Sequence, residues 1–415
     1  MSTSRCQPPS VGYLHIGDPT HGVARYGQIL AQAARTHTDS PVQEESVVLS
    51  SEVAEQARQL RAGAQSLSSS DVVHLQYNQR IWGEPLRAPF NLETFIQSCA
   101  PPLVVTLHDV RDGYKISDVL RRLWCQWSGS NGTLEYDGPQ ERAEAKGTTS
   151  NRSLFQLVYK GFWFLLREGG DLWTTRRLAT QASQVLVCTE EEARRVENTV
   201  GREQLRVIPH FVEGRSRNVD RKEAKRRLNL GESVLGVLGF MHRTKGHDLV
   251  VDALSYLPDV VEVVFIGRAG RNSEDFRASL LTRADALGVR DRLHMTGYVR
   301  EDELDYYLQA TDLAICPFRE ASASGSLSTW IAAGRPILAS DLPLFREYND
   351  RVEGSIATFS PYTPEKLAEE ALERLQYSGA ESKSRVCLLR QSLSLDKIIS
   401  QHYKLYRQAA ELDKS

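Results

Sequence analysis

The sequence predicts an α/β protein with two doubly wound domains that face a central cleft, and three observations favour this class. Short apolar runs rich in Val, Ile and Leu alternate with longer helix-like segments, as in the βα units of a parallel sheet. The runs are too continuous for antiparallel strands with one face in water. The 415 residues are enough for two or three domains. Because such sheets bind ligands at the carboxyl ends of their strands, we expect both domains to open on one cleft.

The predicted strands form one group in each half of the chain. They cover residues 11–16, 72–77, 103–109 and 184–188 in the first half, and 234–239, 261–267, 293–297, 313–317 and 336–339 in the second. Between the groups, Glu213–Asp220 has the polar composition of a linker. We therefore expect Rossmann-like domains over residues 1–210 and 211–394. Residues 395–415 predict a C-terminal helix that could pack back on the first domain, with its apolar side formed by Ile398, His402, Leu405 and Tyr406.

Two segments of the first half interrupt this pattern. Ser128–Ser153 is polar and predicts a loop inserted in the domain. Leu154–Arg167 is aromatic and amphipathic, so it could lie on a membrane surface or contact the apolar part of a substrate. Its apolar residues also fit the buried side of a helix in the core.

Composition limits the classes of partner and compartment. The net charge is −2, which gives no overall field for nucleic acid. The six cysteines lack CxxC spacing, which argues against a zinc site or a disulfide framework. No apolar run reaches about 18 residues, and the first residues lack the apolar core of a signal peptide. We therefore expect a cytoplasmic protein, with at most a peripheral contact at the cytoplasmic face of a membrane.

A loop of small residues precedes one predicted helix. Ser322, Ser324, Gly325 and Ser326 follow the strand that ends near residue 317. Leu327, Trp330 and Ile331 then have helical spacing, with Gly334 and Pro336 as stop signals. The free N–H groups and dipole of the helix start favour a phosphate or carboxylate, although an ordinary Ser-capped helix explains the loop equally well.

A second anion feature follows the strand at 234–239. Arg243 and Lys245 lie between this strand and a predicted helix at His247–Leu254. A basic pair in a loop is often only solvated. Here it shares a sheet edge with the Ser/Gly loop, so the two features together predict a clamp for a diphosphate.

In its order of motifs, the sequence resembles the nucleotide-sugar-dependent glycosyltransferases of GT-B fold, in particular the retaining family 4 enzymes. The matching segments, nearly the whole chain in order, are Asp18–Arg25, Thr106–Asp109, Ala182–Glu191, Leu205–Val212, Gly239–Gly246, Phe265–Gly267, Leu293–Val299, Thr311–Pro317 and Ala332–Ser340. Two departures stand out. Phe240 replaces the Arg that usually follows the first glycine of the clamp, and the family's Glu-x7-Glu pair falls at Ala321 and Thr329, with Glu320 one residue early.

The resemblance implies roles for particular residues. Lys245 and Arg243 would hold the diphosphate, with Ser324, Gly325 and Ser326 donating from the loop. His108 would face the transferred sugar. The remaining candidates are Glu320 and Thr329 toward the donor sugar and ribose, Gly297 and Tyr298 beside the base, and His21 and Gly22 in the acceptor-side loop. His15, His74, His210 and His294 receive no role.

The resemblance also implies the reaction. A hexose of mannose or glucose type would move, with retention, from a nucleoside diphosphate sugar to a glycan, a lipid-linked or a small-molecule acceptor. No cofactor is expected, and no metal either, because the chain contains no Asp-x-Asp. Two alternatives stay open: a non-catalytic nucleotide-sugar binder or scaffold subunit of a glycan assembly complex, and an enzyme that epimerises the nucleotide sugar.

Overall fold

The computed structural model describes residues 7–18, 21–37, 40–84, 86–108, 110, 173–215, 219–270, 273–321, 324–377 and 380–412. The predicted insertion at 128–153 and the amphipathic segment at 154–167 lie outside these residues, as does Ser322. The chain divides into two compact units. The first unit comprises Met1–Val187, Glu192–Val207 and His402–Ser415, and the second comprises Cys188–Glu191 and Ile208–Gln401.

The first unit is built on a six-stranded parallel sheet with the strand order β2-β1-β3-β4-β5-β6. Its strands are β1 (Val11–Ile16), β2 (Val42–Val47), β3 (Val72–Tyr77), β4 (Leu103–Leu107), β5 (Ala182–Val187) and β6 (Leu205–Val207). Its helices are α1 (Gly22–His37), α2 (Val53–Ser66), α3 (Ala88–Ser98) and a helical stretch at 173–181. Every residue of β1, β3 and β4 is buried, which explains why these strands are continuous apolar runs.

The second unit has a parallel sheet of the same size, with the order β12-β11-β10-β7-β8-β9. Its strands are β7 (Ser233–Leu238), β8 (Val261–Ile266), β9 (Leu293–Met295), β10 (Leu313–Cys316), β11 (Ile337–Ser340) and β12 (Ala357–Phe359). The helices numbered from here are α4 (Glu190–Val196), α5 (Arg221–Leu228), α6 (His247–Leu254), α7 (Glu274–Ala286), α8 (Glu301–Ala310), α9 (Gly325–Ala332), α10 (Pro343–Arg351), α11 (Pro364–Tyr377), α12 (Ala380–Ser392) and α13 (Leu395–Leu412). Two of these helices belong partly to the first unit: α4 from Glu192 onward and α13 from His402 onward.

Both faces of the second sheet are covered. Along β8, Val263 and Phe265 pack in the apolar cluster that contains α6, whereas Val264 and Ile266 pack in the cluster that contains α9. A strand buried on both faces reads as an unbroken apolar run, because neither set of alternating side chains meets water. The predicted fold class is therefore confirmed by two doubly wound parallel sheets.

Three strands were not predicted from the sequence, namely β2, β6 and β12. All three lie at sheet edges. The segment Val42–Val47 (VQEESV) carries polar residues at its centre, and its residues are mostly half-buried. Strands β6 and β12 are three residues long. An edge strand has one neighbour and partial solvent contact, so it can be short and polar and give no apolar signal.

The predicted helices are confirmed where they lie among the described residues. Helix α6 begins at His247, α9 follows the Ser/Gly loop, and α13 buries Ile398, His402 and Tyr406. Within the described part of the chain, no helix has both the length and the apolar character needed to cross a bilayer.

Candidate functional site

The second unit gathers several glycines where the strands β7, β8 and β9 end. Gly239 follows β7 and donates its N–H to the carbonyl of Ile266 at 2.9 Å. Gly267 follows β8 with φ of +148°, and a Cβ atom there would lie 2.1 Å from the carbonyl oxygen of Gly239. Gly267 in turn bridges to Gly297 beyond β9. Gly267 is thus packed against Gly239, whereas no atom lies within 4 Å of the Cβ position of Gly297, which leaves the backbone there open to a ligand.

The loop after β7 is fixed against the loop after β10. His242 caps a single 3-10 turn at Arg243–Lys245, and Gly246 follows with φ of +70°. A Cβ atom on Gly246 would lie 1.9 Å from the carbonyl oxygen of Pro317. The Tyr362 hydroxyl donates to that same oxygen at 2.7 Å. Position 246 thus requires glycine for two reasons: the backbone is left-handed there, and the Pro317 carbonyl leaves no space for a side chain.

Arg319 joins the same two loops by hydrogen bonds. Its backbone N–H donates to the Thr244 carbonyl at 2.9 Å. Its guanidinium donates to both carboxylate oxygens of Asp248, at 2.9 and 2.7 Å. Burial alone would raise the pKa of Asp248, but the hydrogen bonds and charge of Arg319, together with backbone N–H groups, hold the pKa of this carboxyl below its usual range. Sequence reasoning missed this pair, because neither residue belongs to a recognisable motif.

The two predicted clamp cations have different surroundings. The half-buried Lys245 has its ammonium nitrogen 3.9 Å from the ring centroid of Phe318, in the loop after β10. The exposed Arg243 has its guanidinium carbon 5.2 Å from the ring centroid of Phe276, in α7. Lys245 therefore lies beside the loop that leads to α9, whereas Arg243 lies toward α7.

The Ser/Gly loop forms the start of α9 and contacts the end of β7. Ser324 is the N-cap, and its buried hydroxyl accepts from the N–H of Leu327 at 3.5 Å. The hydroxyls of Ser324 and Ser326 are 3.0 Å apart. A Cβ atom built on Gly239 would lie 3.8 Å from the Cβ of Ser326. The helix start beginning at Gly325 is thus adjacent to the strand end that leads to Lys245.

The other predicted donor-site residues are less closely gathered. The Thr329 hydroxyl donates to the Gly325 carbonyl within α9, at 2.9 Å. Glu320 is exposed in the loop before α9. Gly297 has φ of +68°, and the side chain of the next residue, Tyr298, is 74% exposed. Tyr298 therefore has free surface on which a planar group could stack.

In the first unit, His108 directly follows β4 and ends a chain of buried polar side chains. Its Nε2 atom is 2.8 Å from Oε1 of Gln76. Nε2 of Gln76 is 3.1 Å from Nε2 of His74, whose Nδ1 is 2.7 Å from the Tyr406 hydroxyl. Burial holds the pKa of His74 well below its usual range, so this ring is neutral. The polar residues of β3 in an otherwise apolar run were the available signal for this chain.

The predicted acceptor-side residues lie at the start of α1. Nδ1 of His21 accepts from the N–H of Val23 at 3.3 Å, so the imidazole caps the first turn. Gly22 begins the helix, and no atom lies within 4 Å of the position that its Cβ would occupy. Tyr26, one turn further along α1, packs edge-on against His108 with ring centroids 5.2 Å apart. His108 and the start of α1 therefore lie at the same edge of the first sheet, joined by the contact between Tyr26 and His108.

Comparison with known proteins finds a family model that matches part of the second unit. Residues 232–376 match the family model described as glycosyl transferases group 1. A 167-residue stretch is 26% identical to mannosylfructose-phosphate synthase of Agrobacterium fabrum, covering 35% of this chain and 36% of that protein. A 180-residue stretch is 28% identical to 2-deoxystreptamine glucosyltransferase of Streptomyces kanamyceticus, covering 43% of this chain and 44% of that protein. The matched stretches thus span less than half of either relative.

The fold is also similar to solved structures over almost its full length. The crystal structure of Anabaena HepE in complex with UDP-glucose superposes with a TM-score of 0.65 at 14% identity, covering 96% of this chain and all of that chain. At this identity the likeness concerns the fold alone. Residues 232–376 therefore match the group 1 glycosyltransferase model, and the chain has the GT-B fold.

Proposed function

We propose that this chain is a glycosyltransferase that moves a hexose from a nucleoside diphosphate sugar to a glycan, a lipid-linked or a small-molecule acceptor. The group 1 family of residues 232–376 supports the reaction class. The names of the two relatives suggest a mannose-type or glucose-type sugar. The complex of the similar HepE structure suggests uridine as the base to test first.

One observation carries the proposal. The loop with Lys245 and the loop that leads to α9 are joined by the Gly246–Pro317 contact and by Arg319. Ser326 of the helix start lies beside Gly239 of the same strand end. A cation and free helix N–H groups at one glycine-lined edge are the donors that a diphosphate requires.

Transfer of the sugar breaks the bond between the anomeric carbon and the diphosphate oxygen, so negative charge grows on the leaving group. A charged hydrogen bond to that group stabilises it by about 1.5–3 kcal/mol, and an exposed helix terminus adds about 0.3–1 kcal/mol. Lys245 should therefore contribute more than the α9 dipole. Ser324, Gly325 and Ser326 would complete the hydrogen bonding, with Arg243 as a second cation.

The first unit would supply the opposite side of the reaction. We propose that His108 faces the transferred sugar and that His21 and Gly22 border the acceptor. Gly297 and Tyr298 would border the base, and Glu320 the hydroxyls of the donor sugar. Retention of the anomeric configuration belongs to the same proposal. Transfer without a metal does as well, since the protein cations would neutralise the diphosphate.

A non-catalytic binder is the second candidate, and one observation favours it. By the sequence resemblance, Thr329 falls at the position of the family's second Glu, and its hydroxyl donates to the Gly325 carbonyl. Glu320 is exposed in the loop. A protein with this site could hold the nucleotide sugar without positioning the sugar for transfer.

The test measures binding and turnover together. Thermal unfolding of wild type is recorded with UDP, GDP and ADP, and each matching hexose donor is then assayed for release of its diphosphate with and without candidate acceptors. One diphosphate should raise the unfolding temperature, because a ligand at 100 times its Kd stabilises by about 2.7 kcal/mol. Lys245→Ala should lose this shift, whereas Lys222→Ala, on the exposed side of α5, should keep it. Binding without turnover by any donor would favour the second candidate, and absence of binding would contradict both.

A further inference from the structure

A polar pocket lies at the edge of the second sheet opposite the proposed donor site. It is lined by residues at the amino-terminal starts of three neighbouring strands: Ser233 in β7, Asp312 before β10 and Pro336 before β11. The rest of its walls is formed by Arg221 of α5, Glu232, Leu375 of α11 and Lys383 of α12. Strand β7 has six residues, so about 15–20 Å of sheet separate the pocket from Gly239.

Asp312 is already saturated with hydrogen-bond donors. Its Oδ2 accepts from Lys225 Nζ at 2.6 Å and from the N–H of Val234 at 2.7 Å. Its Oδ1 pairs with the guanidinium of Arg221. The carboxylate is 15% exposed. It therefore has little capacity to neutralise a further cation in the pocket.

Positive charge in and around the pocket exceeds negative charge. The pocket is lined by the cations Arg221 and Lys383 and by the carboxylates of Asp312 and the exposed Glu232. Lys225 pairs with Asp312 from outside the lining, and Arg335 is close enough to repel Arg221 and Lys383. Nε of Arg221 is buried without a hydrogen-bond partner. Lys383 is half-buried, and among the residues that the structure describes it has no hydrogen bond or ion pair.

The cations of this pocket destabilise one another. Burial, and then repulsion from Arg221 and Arg335, lower the pKa of Lys383. Burial and repulsion from Arg221 likewise lower the pKa of Arg335. A half-buried cation that neighbouring cations repel is unfavourable, so a bound anion would stabilise the charged form of Lys383.

We propose that this pocket binds a phosphate group, either as inorganic phosphate or as part of a small phosphate monoester. Arg221 lines the pocket with a planar guanidinium, only part of which is paired with Asp312, and this geometry matches phosphate oxygens. Lys383 adds a point charge. The hydroxyl of Ser233, at the start of β7, is a further donor in the wall. Since the site uses neither Lys245 nor the start of α9, it is independent of the proposed function.

The experiment measures phosphate binding by calorimetry in a phosphate-free buffer, at constant ionic strength set with chloride. The probes are inorganic phosphate and glycerol 3-phosphate. Lys383→Gln should weaken binding about tenfold to a hundredfold, as expected for loss of one charge-assisted hydrogen bond. Lys222→Gln removes the same charge from the exposed side of α5 and should leave the Kd unchanged. Lys245→Ala should also leave it unchanged, because that lysine belongs to the other edge of the sheet.

Folding of the variants is followed by thermal unfolding without phosphate. Lys383→Gln should unfold at the same temperature as wild type or higher, because it removes a repelled charge. Phosphate should raise the unfolding temperature of wild type and not that of the variant. Binding by the monoester alone would identify an organic phosphate as the ligand, and equal binding of both probes would show that free phosphate suffices. Absence of binding, binding unaffected by Lys383→Gln, or binding lost in Lys245→Ala would overturn the proposal.

Discussion

Lys245 is the residue on which the proposed transfer depends most. Its ammonium group lies against Phe318, between the joined loops of the second sheet. By comparison with the loss of one donor that stabilises a developing negative charge, Lys245→Ala should lower kcat/KM by about 10²–10³. Lys222→Ala is the matched control, since it removes an exposed lysine of the same unit. Turnover of Lys245→Ala within a factor of about three of wild type would contradict the assignment.

Gln76 is expected to orient His108. The amide joins Nε2 of His108 to the neutral ring of His74, which Tyr406 holds from α13. Gln76→Glu would place a carboxylate at 2.8 Å from the imidazole, in the position of Oε1. A neighbouring opposite charge raises the pKa of an imidazole by about 1–3 units, so the acid limb of the kcat/KM profile should move to higher pH. Gln76→Met keeps the size of the side chain and should lower kcat without that displacement. Three superimposable pH profiles would argue against a positioning role.

The sequence predicted some of these residues and not others for a physical reason. Lys245, Ser324 and Gly325 occupy loops between a strand and a helix, and such loops have recognisable residue types. Arg319 and Asp248 are 71 positions apart along the chain, and only the fold brings them into contact. His74 and Tyr406, which belong to the same hydrogen-bonded chain as Gln76, are 332 positions apart. Contacts that depend on chain closure leave no local pattern.

At the scale of elements, the junction of the two loops depends on Gly246. Gly246→Ala would put a methyl group against the Pro317 carbonyl in a left-handed conformation. Gly288 has a similar φ of +67° with open space around it, so Gly288→Ala isolates the conformational cost. That cost is about 1–2 kcal/mol, whereas Gly246→Ala should lose more than about 3 kcal/mol of unfolding free energy. Urea unfolding measures both. Equal losses would mean that the loops can separate without cost.

Elements with buried apolar residues were predicted with good boundaries, and elements with mixed burial were not. Helix α6 begins and ends at the predicted residues, because a glycine precedes it and an apolar face fills it. The edge strands β2, β6 and β12 were missed, because their residues are half-buried or few. Helix α13 was recognised by its apolar stripe, but the sequence left open which unit its residues join. The pattern of apolar residues in a segment shows which of its faces is buried. The unit against which that face packs is seen only in the folded chain.

At the scale of the molecule, buried imidazoles should make the fold sensitive to acid. Burial lowers the pKa of His15 and His74 in the first unit and of His210 and His247 in the second. For His247 the pKa falls to about 4. Each of these rings is neutral in the folded chain and binds a proton on unfolding at acidic pH. The unfolded state therefore binds more protons below its pKa of about 6.5.

The sign of the pH dependence follows from this difference. The free energy of unfolding should be highest above pH 6.5 and should fall as the pH is lowered toward 4. His247 alone should account for roughly 2–3 kcal/mol, since each pKa unit corresponds to about 1.36 kcal/mol. Urea unfolding at pH 7.5, 6.0 and 5.0 measures the slope. His247→Leu should reduce the pH dependence of the unfolding free energy by up to one proton, because it removes a titrating ring. The variant should still fold, since His247 packs against Phe265 in a buried apolar core. A free energy of unfolding that is constant from pH 7.5 to 5.0 would mean that the buried rings bind protons as readily in the folded chain as in the unfolded chain, which would contradict the prediction.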